Sequence, residues 1–566
     1  MATAKRLYLY AVSGAALALG LSGAAILLRT LINNIGVGPQ GGTVDADKDQ
    51  LAMGLGLLVA GLIVWLIHWN LVERMVADVK DEKAIAERRS IVRAVFFALV
   101  LAVTLWVAAT ELAQLVARMI GDIVGAKALS VPESANDSMA LATILVAAAA
   151  WAYHAWIRDR DLRTTPLISG AAAWVSRLYL YGAALVGVII ALDMVVVVIK
   201  TIVSQWAEAP VTGPLDSASM MGVVPTSVDW VRPVIVAIIA AAVWAGVWAA
   251  HWLYSLRLRT GTSQQASAER GSRTRLAFLV LVIVWATATI VINLSSGLGQ
   301  LLARLIDADP SKTPTWYLVF LPIAVAVPAA IALWWHRLQA LVENVVGGVP
   351  NVSAVRVILY SIALVGLAEL TAGAAQALQA LVLQIFTSAP ENAWKVPVAL
   401  GVAAMVVGGV VWAWPWLLAQ ARRIENNASE IVSSSRSYYL YFVLGVSVIV
   451  GAVSLAVLVY EYSRILLSLK DPTLAVSVAP ALAAGIVAAV VIAYHFWVLR
   501  TDPIAPVAKP APAPVAATAA VAKAVSATAA AAAKAPAKAP AKKPAAKKPA
   551  AKKPAAKPAT RTATPK

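Results

Sequence analysis

Long apolar runs, separated by short polar connections, follow one another from the N-terminus to about residue 500. Their pattern predicts helices over Leu7–Ile32, Leu51–Trp69, Val92–Val116, Met139–Trp156, Leu178–Val203, Val234–Leu253, Leu276–Leu302, Trp316–Trp335, Val357–Phe386, Val396–Leu418, Tyr438–Leu467 and Leu474–Val498. Each run is about 20 residues or more, enough to cross a hydrocarbon core of ~30 Å as a helix. Only helices and closed barrels satisfy their own backbone in lipid. Barrel strands would be short and would alternate in polarity, unlike these Ala-, Val- and Leu-rich stretches. The expectation is an all-α integral membrane protein with about twelve transmembrane helices.

The connections alternate in charge. Those from Glu73 to Arg93, Arg158 to Arg177, Arg257 to Arg275, Arg337 to Arg356 and Arg422 to Arg436, with the N-terminus, carry 22 Lys and Arg residues; the opposite set carries 11. Basic loops resist export, so the first set is expected in the cytoplasm, with both termini on that side of the plasma membrane. Lys5 and Arg6 precede the first apolar run as in a signal peptide, but that run exceeds the ~7–15 residues of a cleavable core and reads as the first membrane helix. The opposite loops are short and mildly acidic, with Asp45, Asp47, Asp49, Glu133, Asp137, Asp216, Asp307 and Asp309.

An internal repeat runs through this pattern. Arg6-Leu-Tyr-Leu-Tyr10, Arg177-Leu-Tyr-Leu-Tyr181 and Arg356-Val-Ile-Leu-Tyr360 open the first, fifth and ninth helices. A polar residue follows each start at the same distance: Arg29, Lys200 and Gln379. Weaker versions begin at Arg93, Arg275 and Arg436. Three tandem four-helix units are expected, at 1–165, 166–345 and 346–500, each built of two related helix pairs.

Every second helix ends in a histidine among aromatic residues: Trp65-Leu-Ile-His68-Trp69, Trp151-Ala-Tyr-His154, Trp248-Ala-Ala-His251-Trp252, Trp334-Trp335-His336 and Tyr494-His495-Phe496-Trp497. The remaining copy has Pro415 between Trp414 and Trp416. An interfacial aromatic belt explains this most simply, since Trp and Tyr favour the headgroup level. Histidines that pin each hairpin, or that ligate haem or metal in pairs, are the other readings; the last lacks nearby carboxylates and membrane depth.

Four acids fall within or near the apolar runs. Asp193 and Glu369 lie deepest, where ionisable groups mark ion or proton paths or else sit neutral and hydrogen-bonded. They do not recur in register. Glu111 and Glu461 each have a polar residue three positions on, Gln114 and Arg464, so a bond along one helix face is expected. Arg29, Arg118, Lys200, Arg304 and Arg464 are placed to snorkel toward headgroups.

Composition agrees with burial in lipid. The chain of 566 residues is 60% hydrophobic and 13% charged, with a mean hydropathy of +0.77; soluble domains carry about 25% charged residues. The absence of cysteine excludes disulfides and thiolate chemistry. No nucleophile–base motif or metal-ligand spacing is present, so no cofactor and no enzymatic activity are expected. Residues 501–566 are Ala, Pro and Lys, with Lys542, Lys543, Lys547, Lys548, Lys552 and Lys553 spaced in pairs, and carry +12 of the net +18 charge. Such a segment is expected to be a disordered cytoplasmic tail that contacts anionic lipid headgroups or nucleic acid.

The Arg6-Leu-Tyr-Leu-Tyr10 start, the Trp65-x-x-His68-Trp69 helix end and the Glu87-Arg88-Arg89-Ser90-x-x-Arg93 restart resemble a bacterial multi-pass membrane family called domain of unknown function 5671. The resemblance implies a four-helix membrane domain in three copies, the first copy the best match and the third the most divergent. It implies no activity. The functional expectation is a non-enzymatic membrane scaffold or sensor-like protein; the alternative is a secondary transporter or channel that uses the intramembrane acids.

Overall fold

A computed structural model describes residues 3–33, 44–123, 137–206, 230–307, 315–343, 345–346, 349–350, 352–386, 390–425, 427–467 and 474–502. Twelve long helices form among them: α1 (Thr3–Ile32), α2 (Val44–Arg74), α4 (Ile91–Ile123), α5 (Asp137–Thr164), α6 (Ala171–Trp206), α7 (Val231–Arg259), α9 (Arg273–Leu305), α10 (Thr315–Glu343), α11 (Val352–Phe386), α12 (Lys395–Glu425), α14 (Ser434–Leu466) and α15 (Leu474–Thr501). Each contains a stretch long and apolar enough to cross a membrane. A two-residue antiparallel ladder, Val345–Val346 with Val349–Pro350, joins α10 to α11.

Three short helices were not expected: α3 (Glu82–Arg88), α8 (Gln264–Arg270) and α13 (Asn427–Ile431). Polar helices this short are unstable alone and depend on capping and tertiary contacts. Asp81 caps α3 by accepting from the Lys83 amide at 3.0 Å, and Ser263 caps α8 by accepting from Ala266 at 3.1 Å. Gly261, with a φ of +90°, turns the chain between α7 and α8, and its carbonyl accepts from Arg270 at 3.0 Å. The long helices also run past their apolar runs: α5 continues to Thr164 and α7 to Arg259. Polar residues prolong a helix without prolonging the hydrophobic signal.

Packing is extensive between consecutive long helices, α1 with α2, α4 with α5, α6 with α7, α9 with α10, α11 with α12 and α14 with α15, and α9 packs on α12 as extensively as α4 on α5. Glycine permits the closest of these approaches. A methyl group on Gly61 would lie 2.3 Å from the Gly20 backbone nitrogen, and one on Gly408 would lie 2.5 Å from that of Leu370. Further packing links the pairs in a fixed order. The first helix of each set of four contacts the third and fourth: α1 with α4 and α5, α6 with α9 and α10, α11 with α14 and α15. The third helix also reaches the first and second helices of the following set, α4 onto α6 and α7, and α9 onto α11 and α12. The helices therefore advance as a row.

Three aromatic and aliphatic cores follow the same order. Tyr10, Trp69 and Phe96 anchor the first, Tyr181, Trp252 and Phe278 the second, and Tyr360, Trp416 and Tyr439 the third. Each of the first two cores also takes in a residue of the next set, Tyr179 and Ile358 respectively. On the outside, large apolar side chains such as Leu99, Ile331 and Val410 are exposed, while Arg93, Arg275 and Arg436 are buried.

Gly408→Leu should lower the thermal unfolding midpoint in detergent, because overpacking a tight contact costs about 1–3 kcal/mol. Gly246→Leu, where an added Cβ meets nothing within 4 Å, should leave the midpoint unchanged. Equal melting of the two variants, followed by size-exclusion chromatography after heating, would remove glycine contact as the reason for the close pairing.

Candidate functional site

The largest concentration of buried charge lies at the arginine-bearing end of the helices, and it occurs three times. Each copy begins with a glutamate, a serine three residues on and an arginine three residues after that: Glu87-x-x-Ser90-x-x-Arg93, Glu269-x-x-Ser272-x-x-Arg275 and Glu430-x-x-Ser433-x-x-Arg436. The serine hydroxyl accepts from the arginine amide at 3.2, 3.4 and 3.3 Å respectively. Capping by serine starts α4, α9 and α14, and sets the arginine one turn inside each. The short helix before it holds the glutamate.

The glutamate then meets the start of the first helix in the set. Arg6 Nε lies 2.6 Å from Glu87, Arg177 Nε 2.9 Å from Glu269, and Arg356 Nε 2.6 Å from Glu430. Four positions on, the tyrosine hydroxyl donates to the same carboxylate: Tyr10 to Glu87 at 3.2 Å, Tyr181 to Glu269, and Tyr360 to Glu430 at 2.8 Å. That hydroxyl in turn accepts from the buried arginine, at 3.1 Å from Arg93, 3.1 Å from Arg275 and 3.4 Å from Arg436.

The buried arginine has further partners on the second helix, and Arg93 and Arg436 also bond to an aspartate on the fourth helix or just past its end. Arg93 donates to Glu73 at 2.9 Å and to Asp161 at 2.8 Å. Arg275 donates to the Ser255 hydroxyl at 2.8 Å. Arg436 donates to Gln420 at 3.2 Å and twice to Asp502, at 2.7 and 3.0 Å. Its guanidinium also stacks over a tryptophan of the second helix, with carbon-to-centroid distances of 5.9 Å at Trp69, 4.3 Å at Trp252 and 5.5 Å at Trp416. One arginine thus ties several helices of its set. A buried ion pair is favourable only when hydrogen bonds satisfy the remaining lone pairs and protons, and the tyrosine supplies both an acceptor and a donor.

The five histidines lie beside these clusters. His154, His251, His336 and His495 are buried and His68 is half-buried, so they are set within the helix packing rather than spread along an outer belt. Each Nδ1 donates to the carbonyl four residues back, at 2.8 Å from Val64, Ala150, Val247 and Ala332 and 2.9 Å from Val491. On the second helices, Nε2 meets a tyrosine hydroxyl: Tyr8 with His68 at 3.3 Å and Tyr179 with His251 at 3.1 Å. The third set has Ile358 and Pro415 at these two positions, so the partners are replaced together. The fourth-helix histidines pack instead among rings, His154 against Trp69 and Phe96, His336 against Phe278, and His495 against Trp416 and Tyr439. Among the described residues, no three His, Cys, Asp or Glu side chains are grouped to hold a metal ion.

Among the described residues, the clusters take in none of the four acids expected within the membrane. Asp193, Glu369 and Glu111 are half-buried, on α6, α11 and α4. A methyl group on Gly408 would come within 2.9 Å of Glu369 Cβ, so that side of the acid is closed by helix packing. Glu461 is buried and pairs with Arg464 at 3.2 Å along one helix face, as its spacing indicated. Arg118 pairs with Asp137 at 2.6 Å, linking α4 to α5, and Arg304 donates to Thr315 at 2.9 Å, linking α9 to α10. These two residues fasten hairpins rather than only snorkel. Lys542, Lys543, Lys547, Lys548, Lys552 and Lys553 lie outside the described residues.

Beyond the restart of the first unit, sequence reasoning missed the glutamates. The signal was the Glu-x-x-Ser-x-x-Arg spacing, visible in all three copies but hidden among basic residues that read as a topology signal.

The family model for a domain of unknown function, DUF5671, matches residues 6–140 and 356–494, together just under half of the chain. Two copies are matched, not the three expected, and the third set is one of them. The middle set lies outside both matches although it carries the same cluster. No curated protein and no solved structure matches the chain.

Removing one partner of a buried ion pair costs about 3–5 kcal/mol, whereas losing one neutral hydrogen bond costs about 0.5–1.5 kcal/mol. Glu430→Gln should therefore lower the melting midpoint in detergent well beyond Tyr439→Phe, which loses one neutral bond, from the Trp412 indole at 3.1 Å. Comparable midpoints would mean that the carboxylate is not what holds the third set. In the same assay, Tyr179→Phe should cost more than Tyr8→Phe. The Tyr179 hydroxyl is buried and has both Trp151, at 3.0 Å, and His251 as partners, while Tyr8 is exposed. The reverse order would count against this assignment.

Proposed function

We propose that the chain is a multi-pass integral membrane protein, built as three tandem four-helix units with both termini in the cytoplasm, that serves as a non-catalytic scaffold of the plasma membrane. The observation that carries the reading is the threefold cluster of Arg, Glu, Tyr and Arg. It commits the buried charges of each unit to holding helices together, which leaves a rigid repeat with its polar groups matched to one another. Exposed Leu, Ile, Val and Trp side chains over the helix surfaces support membrane embedding, since soluble monomers rarely expose apolar patches beyond a few hundred Å². The middle unit, which the family match does not reach, is assigned on its cluster and its helix packing. The basic connections and the basic tail argue for a cytoplasmic Arg-bearing end. The tail adds attraction to anionic headgroups, about 1 kcal/mol per basic residue near the surface; nucleic acid is its other candidate partner.

A transporter or channel is the second reading, and half-buried Asp193 and Glu369 favour it. The two readings separate in proteoliposomes. A scaffold gives no ion flux above protein-free liposomes, and Asp193→Asn and Glu369→Gln change nothing. Flux that either substitution abolishes would replace the scaffold with the transporter.

The tail is tested separately. Deletion of residues 509–566 should leave membrane insertion intact while weakening binding to vesicles containing anionic lipid, and that binding should fall steeply as salt shortens the screening length. Salt-independent binding would rule out headgroup electrostatics.

A further inference from the structure

The row has two dissimilar ends. Within it, the third helix of one unit packs on the first and second helices of the next, and this happens twice, from α4 to α6 and α7 and from α9 to α11 and α12. Trp106 meets Trp244 at a ring distance of 5.1 Å in the first junction. In the second, a methyl group on Gly299 would lie 2.8 Å from Leu400 Cα and 3.4 Å from Ala403 Cβ. At the two ends the equivalent surfaces are left uncovered among the described residues. Only 11% of the membrane-crossing window is buried in α2 and in α14, against 22–44% in the other ten long helices.

Register comparison identifies the uncovered positions. Sixteen and twenty residues after the buried arginine, α4 has Ala109 and Ala113 and α9 has Val291 and Ser295, all at most 5% exposed. The equivalents on α14 are Ala452 and Ala456, both exposed. On the receiving side, twelve residues before the His or Pro position, α7 has Ile239 and α12 has Ala403, both buried. The equivalent on α2 is Gly56, exposed and with nothing within 4 Å of an added Cβ. Ala52 and Ala60 flank it at four-residue spacing and are exposed too. Two residues after the first arginine, Tyr179 is 8% and Ile358 3% exposed, each buried in the core of the preceding unit; Tyr8 is 57% exposed.

We propose that copies of this chain associate head to tail in the membrane, α14 of one copy docking on the Ala52–Gly56–Ala60 face of α2 and on Tyr8 of α1 of the next, as a continuation of the internal junction. The inference rests on the membrane reading above and deepens the scaffold. Lipid is as apolar as these helices, so association depends on close packing between small residues, and small residues at four-residue spacing permit it. Each unit contains four long helices, so the junction preserves orientation across the bilayer, and docking needs no inverted copy. Different surfaces meet, so the contact is heterologous; it closes into a ring if the rotation allows and otherwise extends as a row.

The chain has no cysteine, so single introduced thiols report contacts without background. Ala456→Cys and Gly56→Cys are co-expressed as full-length chains, and membranes are oxidised before solubilisation. A disulfide requires Cα atoms within about 7 Å. The expected result is a crosslinked dimer from the mixed pair, weak or no dimer from either variant alone, and a ladder of higher multimers when one chain carries both. Ala452→Trp in the Ala456→Cys chain should abolish the mixed dimer while the chain stays monodisperse in detergent, because the site is exposed within one copy. Absence of a mixed dimer in folded, membrane-inserted chains would mean that lipid alone covers these ends and would overturn the proposal. Dimers from Ala456→Cys alone at equal yield would overturn it in favour of a symmetric contact. The outcome is independent of flux, so failure of the scaffold reading in proteoliposomes is distinguishable from failure here.

Discussion

A guanidinium taken out of water must recover its hydration from the protein, and the architecture is organised around doing this three times. Arg93, Arg275 and Arg436 are each buried at the start of a long helix, where neighbouring helices end or begin. Their satisfaction requires a tyrosine hydroxyl from the first helix, a polar side chain from the second and an aromatic ring above. A glutamate on a short connecting helix then fastens the tyrosine and the first arginine. Had any of these been placed a turn away, a buried charge would be left unmatched, at a cost comparable with much of a domain's net stability. The cluster therefore fixes helix register at one end, while glycine contacts such as Gly61 with Gly20 fix separation along the length.

The clusters also explain why the units can be strung together. Within the sets described, polar requirements are met at the Arg-bearing end by the unit's own residues, which leaves the flanks apolar. Contacts between sets are made by small and aromatic residues, Ala109 and Ala113 against Ala237, Ala240 and Trp244, with a few polar ties such as Arg158 to Ser176 at 2.6 Å. Charge is thus concentrated inside the sets, and the contacts between them are mostly apolar.

Much of the fold was legible because helices long and apolar enough to cross a membrane leave a length and composition that few other structures share. The twelve apolar runs and the Arg-to-Tyr spacing needed no tertiary information. The short helices and the role of Glu87, Glu269 and Glu430 were hidden for a physical reason: a five- to seven-residue helix has no periodicity of its own, and a loop glutamate among lysines and arginines looks solvated. The histidines share one sequence context, but burial of four of them depends on rings such as Phe96, Phe278 and Tyr439, supplied by a helix remote in sequence. The middle set keeps the cluster although the family match does not extend to it.

Pro415 gives the third unit a different mechanical character. In α2 and α7 the carbonyl one turn before the histidine accepts from the imidazole as well as lying on the backbone ladder. At the equivalent place in α12, proline can offer Val411 neither a side-chain donor nor a backbone N–H, and its ring crowds that carbonyl. The histidine bond present in two of the second helices is therefore missing at this place in the other. α12 is thus less braced at Val411 than α2 is at Val64 or α7 at Val247, and it shares an internal proline with α10, at Pro322 and Pro328, and with α15, at Pro480.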